Sequence, residues 1–405
     1  MTRTAIIGVS GFGNVHYRDL MNCRDKGLLE ISAATIINQD EEKEKCEKLR
    51  SLGCKIYTDY KQMLNDFKGK LDICFIPTGI HLHKPMTIAA LEAGINVFVE
   101  KPLAATIQDV IEMKKAQKGS GKFAAVGYQT MYTPEVARIK KALCSGELGK
   151  IRTVKCYALW PRAEAYYNRN NWAGHLKVKN DWVLDSPYNN ALAHYLNLIC
   201  FLAGKEFAKS AELKSIQAEL YRANRIESAD TACMRIITKD ETPLYFMVTH
   251  VSEKNVGPIM HIACEKGHVD WMPNKTTISI SGKTEEIVNQ NNEGLRKCVM
   301  DAVIKKVSDK NAFVCDLDIA GTQTLAANGA HESSEIHQID EKLIYVAELK
   351  DAYTQSVSKQ HIVRGISEIV KESYDKEKLF SELGVPWAVK GNIFPLENYS
   401  RFPSR

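Results

Sequence analysis

Residues 4–13 read TAIIGVSGFG, an apolar, β-branched run that enters a cluster of three glycines. A helical pattern follows through about Lys26. Strand, glycine turn and helix in that order form the context in which glycines signal a dinucleotide site. Gly8 makes the tight turn, and Gly13 lets the helix approach the strand. A pyrophosphate then lies at the helix N-terminus, where free N–H groups and the dipole favour an anion. Ser10 stands where the usual pattern has its middle glycine; Gly11 beside it keeps the backbone approachable, and the Ser10 hydroxyl can donate to a phosphate. Gly8, Ser10, Gly11, Phe12 and Gly13 are the first expected cofactor contacts.

Outward from this turn the chain alternates. Strand-like runs at 30–37, 55–57, 71–77, 96–100 and 122–128 are separated by helical segments, one of them, KPMTIAALEAG, stopped by Gly94. Nearly continuous apolar strands separated by helices predict a doubly wound parallel sheet, placed in a first domain over residues 1–128. The second strand runs into Asn38, where a carboxylate usually holds the ribose hydroxyls. An amide bonds the diol but does not repel a 2′-phosphate, and no arginine follows to bind one. NAD is the expected cofactor, with NADP left open.

From residue 129 the rhythm changes. One helix, PEVARIKKALCSG, leads into IRTVKCYALW, SIQAELYRA, TACMRIIT, LYFMVTHV and TISISG. Runs of strands after an α/β unit predict a second domain, 129–405, built on a mostly antiparallel sheet. Helical patterns return near 294–306 and 355–372, and the tail from Leu383 reads as an arm on the surface. NGAHESSEI (328–336) receives no role.

Hydrophobic residues make up 44% and charged residues 25% of the 405, so the chain is that of a soluble globular protein. A net charge of +5 gives no reason to expect nucleic acid or a membrane as partner. The eleven cysteines form no CxxC pair, and the first strand starts at once without a leader. Reduced thiols and a cytoplasmic location are expected.

Three stretches carry chemistry. NVFVEKPLA (96–104) puts Glu100 and Lys101 at the carboxyl end of a central strand, where open α/β sheets bind ligands. Pro102 raises the chance of a cis bond that fixes where the lysine points. DSPYNNALAHYLN (185–197) spaces Asn190, His194 and Asn197 at i, i+4 and i+7, one face of a predicted helix. Such a stripe is either a core histidine satisfied by amides or a working imidazole. WPRAEAYYNRNNW (160–172) holds two tryptophans, two tyrosines, two arginines and three asparagines. That composition suits a carbohydrate, with Arg162, Tyr166, Tyr167 and Trp172 as expected contacts. His81 and His83 have no acid or cysteine neighbour to complete a metal site, so no metal is expected.

GVSGFGNVH, IPTGIHLHKPMTIAALEAGINVFVEKPLA and NNALAHYLN, in this order, resemble the Gfo/Idh/MocA family of oxidoreductases. The resemblance implies a Rossmann domain followed by an α+β domain with a large, mostly antiparallel open-faced sheet. It implies assembly as dimers or tetramers through that sheet, and oxidation or reduction of sugars and polyols with NAD(P). Pro77, Thr78, His83, Glu100, Lys101 and Gln129 join the implied cofactor contacts. Lys101 takes the family's lysine place, His194 its histidine place and Asn190 its aspartate place. As hydride leaves a carbinol carbon, the hydroxyl proton needs a base, which His194 supplies, while Lys101 steadies the oxygen. Asn190 cannot stabilise an imidazolium as a carboxylate would; Asp185, nearby in sequence, is the expected compensation and a further substrate contact. The implied activity is oxidation of a hydroxyl on a sugar, glycoside or cyclic polyol. Two alternatives stay open: a redox-assisted glycosidase working through a keto-sugar, and a non-catalytic sugar or nucleotide sensor, against which retention of Lys101 and His194 speaks.

Overall fold

The computed structural model describes residues 1–403. The first part alternates: β1 (Thr2–Ile7), α1 (Gly13–Asp25), β2 (Leu29–Thr35), α2 (Lys43–Ser51), β3 (Lys55–Tyr57), α3 (Tyr60–Asp66), β4 (Ile73–Ile76), α4 (Ile80–Glu92), β5 (Asn96–Val99), α5 (Ile107–Ser120) and β6 (Ala124–Val126). Then come α6 (Pro134–Cys144), β7 (Ile151–Leu159), α7 (Glu164–Tyr167), β8 (Lys177–Val178), β9 (Asp181–Trp182) and α8 (Ala193–Leu202). Seven strands follow: β10 (Leu213–Arg222), β11 (Thr231–Thr238), β12 (Pro243–Thr249), β13 (Val256–Cys264), β14 (Gly267–Met272), β15 (Lys275–Ile280) and β16 (Lys283–Val288). The chain ends with α9 (Asn292–Ser308), α10 (Leu317–Ser333), β17 (Ile336–Gln338), β18 (Ile344–Lys350), β19 (Val357–Val363), α11 (Ile366–Lys376) and β20 (Ile393–Pro395).

Two compact units result. The first holds Met1–Ala104, Gln108–Thr133 and Asn292–Gly321; the second holds Ala105–Ile107, Pro134–Asn291 and the chain from Thr322 onward. Two contiguous domains divided at 128/129 therefore do not describe the chain, because 292–321 returns to the first unit. Val299, Met300 and Val303 of α9, with Val314, join the apolar cluster of Leu20, Leu29, Ile73 and Phe98. A helical periodicity shows that a face is apolar but not which sheet it covers.

The first unit's sheet is wholly parallel, in the order β3-β2-β1-β4-β5-β6. Winding reverses between β1 and β4, which opens a crevice at their carboxyl ends. All four residues of β4 are buried, as a strand covered on both faces requires. α4 begins at Ile80, earlier than the expected start at Lys84, and takes in Pro85 at the loss of one backbone bond.

The second unit is built on a ten-stranded sheet in the order β16-β15-β14-β13-β7-β12-β11-β10-β17, with β20 also paired to β10. Neighbours run antiparallel except β7 with β12 and β10 with β17. At its centre this sheet is buried on both sides. Ile366, Val370 and Tyr374, one stripe of α11 at i, i+4 and i+8, lie with Leu379 and Phe380 against Tyr157, Leu159, Tyr221, Tyr245 and Met247. Val154, Cys156 and Ala158 point the other way from β7 and are buried as well. The expected helix at 355–372 divides into β19, whose VSKQHIV alternates, and α11. The tail lies along the surface and is tied down: β20 pairs with β10, and Leu396 and Phe402 are buried. Asn328, in the stretch without an assigned role, takes the Ile107 N–H (2.8 Å) and donates to the Ala105 carbonyl (2.8 Å). Among the described residues no helix is long and apolar enough to cross a membrane.

Candidate active site

In the first unit, Gly8 (φ 91°) and Gly11 (φ 54°) take the left-handed conformations that the turn after β1 needs. A Cβ on Gly13 would meet the Gly8 carbonyl oxygen at 2.7 Å, so only glycine lets α1 start this close to β1. Pro77 and Thr78, after β4, lie beside the same turn: Cβ positions built on Gly13 and Gly8 fall 3.6 and 3.9 Å from their side chains. The buried Thr78 hydroxyl has no hydrogen-bond partner, and a polar ligand on the turn would satisfy it. These residues fit a dinucleotide pyrophosphate.

After β2, Asn38 Nδ2 donates to Ser10 Oγ (3.0 Å) and to Glu41 Oε2 (2.8 Å). The Ser10 hydroxyl is thus tied to Asn38. Glu42 sits beside it, held below the ordinary carboxylate range chiefly by Lys45, which also donates to the Val9 carbonyl (2.9 Å). Glu41, in the acid run that follows Gln39, places a carboxylate on Asn38, while the charge of Glu42 is paired with Lys45.

β5 delivers Glu100 into a buried network. Glu100 Oε1 accepts from His16 Nε2 at 2.7 Å and lies 3.6 Å from Arg296 Nη1. Arg296 is anchored by Asp19 (Nε to Oδ2, 2.7 Å) and lies over the Phe12 ring at 5.9 Å. Burial alone would raise the Glu100 pKa; His16, Arg296 and Lys101 outweigh it and hold the group at about 2. A Cβ on Gly127 would strike this carboxylate at 2.8 Å, so glycine there makes room for it. Lys101 follows, half-buried, its backbone N–H on Glu100 Oε2 (3.1 Å) and its bond to Pro102 cis. His83 is a brace between loops, with Nδ1 2.8 Å from the Pro102 carbonyl and Nε2 3.1 Å from that of Thr78. Burial lowers its pKa, so the neutral ring donates to one of the two. Gln129 opens the turn after β6, half-buried. Arg296 was not foreseen; within GLRKC it reads as a solvated helix residue.

In the second unit α8 begins only at Ala193, so Asn190 lies in the preceding turns and does not share a helical face with His194 and Asn197. Its backbone N–H bonds the Ser186 carbonyl, and its Nδ2 donates to Asp185 Oδ1 at 2.7 Å. Asp185 is buried and also takes the Gly174 N–H (2.7 Å). A carboxylate thus stands behind Asn190, supplied by Asp185. His194, half-buried, occupies the first turn of α8, and Asn197 is fully buried. The far end of α8 is fixed by Lys140, whose buried ammonium donates to the carbonyls of Phe201, Gly204 and Lys209. Burial pulls its pKa down to about 8, while three acceptors and the helix C-terminus favour the cation.

Tyr166 centres an aromatic group with Tyr167 (5.4 Å between ring centres), His250 (5.9 Å) and Tyr353 (5.9 Å). The Arg162 guanidinium lies over the Trp160 and Tyr166 rings, and that of Arg169 over Tyr166 and Trp172. His250 and Tyr353 come from distant segments, and no local pattern marks them.

Residues 2–128 match the family described as "Oxidoreductase family, NAD-binding Rossmann fold", and residues 136–270 match the GFO/IDH/MocA C-terminal domain. The chain belongs to the Gfo/Idh/MocA oxidoreductase family and carries its NAD-binding domain. It is similar to an inositol 2-dehydrogenase/D-chiro-inositol 3-dehydrogenase of Halalkalibacterium halodurans, 26% identical over 206 residues, 51% of this chain and 53% of that one. It also resembles an inositol 2-dehydrogenase of Salmonella typhimurium, 28% identical over 36% of this chain and 43% of the relative. The chain spans about half the length of the curated relatives it matches. Among solved structures, a levoglucosan dehydrogenase in complex with NADH shares the fold with a TM-score of 0.69 and 16% identity, over 88% of this chain and 98% of that one. The WlbA dehydrogenase of Bordetella pertussis, solved with NADH and UDP-GlcNAcA, gives 0.65 and 21% over 82% and 95%.

Proposed function

We propose that this protein is an NAD-dependent dehydrogenase that oxidises a hydroxyl of a sugar or cyclic polyol, its second unit binding the substrate. The observation that carries the reading is Lys101 at the carboxyl end of β5, directly after a buried, anionic Glu100 held by His16 and Arg296. NAD, when bound at the turn after β1, would supply the hydride acceptor. Lys101 holds the carbinol oxygen and stabilises its growing negative charge. His194 takes the hydroxyl proton, and Asn190, bonded to Asp185, is fixed to orient a polar partner. Gly8, Gly11, Gly13, Pro77 and Thr78 hold the pyrophosphate, and Asn38 with Glu41 the ribose diol. Carboxylates at the ribose end repel a 2′-phosphate, which favours NAD over NADP. The inositol and levoglucosan dehydrogenases among the similar proteins support a polyol substrate.

The test is NADH formation from a set of sugars, glycosides and cyclic polyols. Lys101→Ala and His194→Ala should each lower kcat by roughly 10²–10⁴-fold on a good substrate. NADH formation that survives both substitutions would sink the assignment. Release of an aglycone without net NADH would move the protein to the redox-assisted glycosidases.

A further inference from the structure

Two guanidinium groups share the Tyr166 ring of the second unit. The Arg169 carbon lies 3.7 Å from the ring centre and that of Arg162 lies 4.8 Å from it. The Arg169 side chain is only 10% exposed, boxed by Tyr166, Trp172 and Tyr353. Among the described residues its one carboxylate within 4 Å is Asp185, 4.0 Å away, whose two oxygens are engaged at 2.7 Å by Asn190 and the Gly174 N–H. Among the described residues Arg162 has no carboxylate within 4 Å; Nη1 bonds the Pro161 carbonyl and the buried Nε has no partner. The Tyr167 hydroxyl is likewise buried without a partner.

Other acids near this box are already engaged by backbone N–H groups, Asp351 also by that of Ala163. Asp351 takes the N–H groups of Tyr353 and Thr354, and Asp230 those of Ala223 and Asn224. His250 adds no counter-charge: burial, then the charge of Arg162, keep it neutral, far below its ordinary pKa. Two half-buried cations with one carboxylate 4.0 Å from Arg169 are costly, because a charge drawn partly out of water and not closely paired loses hydration for little return. A bound anion would remove that cost. The guanidinium fork fits a planar two-oxygen group, and the surrounding rings suit the C–H face of a sugar. The β18–β19 hairpin closes the box from above with Tyr353, and Ser358 Oγ accepts the Ala165 N–H at 3.0 Å, tying the hairpin to α7.

We propose that the second unit binds a sugar or polyol bearing a carboxylate, with Arg162 as its anchor and Tyr353 as the cover. This rests on the dehydrogenase reading for the reaction, but the binding can be measured apart from it. Full-length protein with NAD is titrated with glucuronate and galacturonate, with glucose and galactose, and with the two 6-phosphates, by calorimetry and by tryptophan emission. NADH is followed in parallel. The acids should bind at least roughly 10-fold tighter than the neutral sugars, the range of one charge-assisted contact. Arg162→Leu should abolish that preference and Arg162→Lys should keep part of it, while Tyr353→Ala weakens binding of the acids. Equal binding of acids and neutral sugars, an unchanged preference in Arg162→Leu, or tighter binding of the 6-phosphates would each overturn the proposal. Acids that bind without NADH formation would sink the dehydrogenase reading and leave the anchor. NADH from neutral sugars, with no effect of Arg162→Leu, would do the reverse.

Discussion

Glu100→Gln keeps the shape of a side chain in the centre of the first unit and removes its charge. In the folded protein the carboxyl is held at about 2 against an ordinary value of 4.5. At 1.36 kcal/mol for each factor of ten in acidity, that fall is worth about 3 kcal/mol of stability. The folded value lies below the unfolded one, so the stabilisation is fully present above about pH 4.5 and is lost as the pH falls towards 2. At pH 7 the variant should be about 3 kcal/mol less stable than the wild type, since His16 and Arg296 lose their anion. The gap should narrow steadily below pH 4.5, where the unfolded wild type takes up a proton that the folded protein does not bind until about pH 2. Urea unfolding followed by far-UV circular dichroism at pH 7, 5, 4 and 3 measures both. Amide exchange of peptides covering α1 and β5 locates the loss, because His16 and Glu100 lie on or directly after these elements. A gap of the same size at pH 7 and pH 3 would show that packing, not charge, decides the site. A gap under about 1 kcal/mol at pH 7 would show that the network does not hold an anion.

Lys140→Met should lower the melting temperature by several degrees, because two buried carbonyls and a part-buried third lose their donor at about 1 kcal/mol each; an unchanged melt would mean the end of α8 does not need the cation. Asn190→Asp sets two carboxyl groups at the 2.7 Å spacing now held by an amide, so one must keep a proton at a raised pKa. The stability of that variant relative to wild type should therefore fall as the pH rises from 5 to 8, and a flat difference in thermal melts over that range would refute the contact.

Local patterns determined a good deal of this protein. TAIIGVSGFG names strand, turn and helix because a positive φ at Gly8 and the 2.7 Å approach at Gly13 are demands that glycine alone meets. Six apolar runs separated by helices yield the parallel sheet because strands buried on both faces must be apolar throughout. Lys101, His194 and the aromatic segment at 160–172 stood out for residue type and position alone. What the sequence left open are relations between distant segments. α9 carries an apolar stripe that would suit either sheet; only packing sends it to the first unit, and Arg296 with it to Glu100. The helical spacing of Asn190 and His194 is broken because α8 starts at Ala193, and the freed Asn190 finds Asp185. Tyr353 reaches Tyr166 across nearly half the chain, and α11 covers strands whose alternation announced a buried face without saying what would bury it. Periodicity is a property of neighbours along the chain, whereas the partner of a buried charge or an apolar stripe is settled by which elements meet in three dimensions.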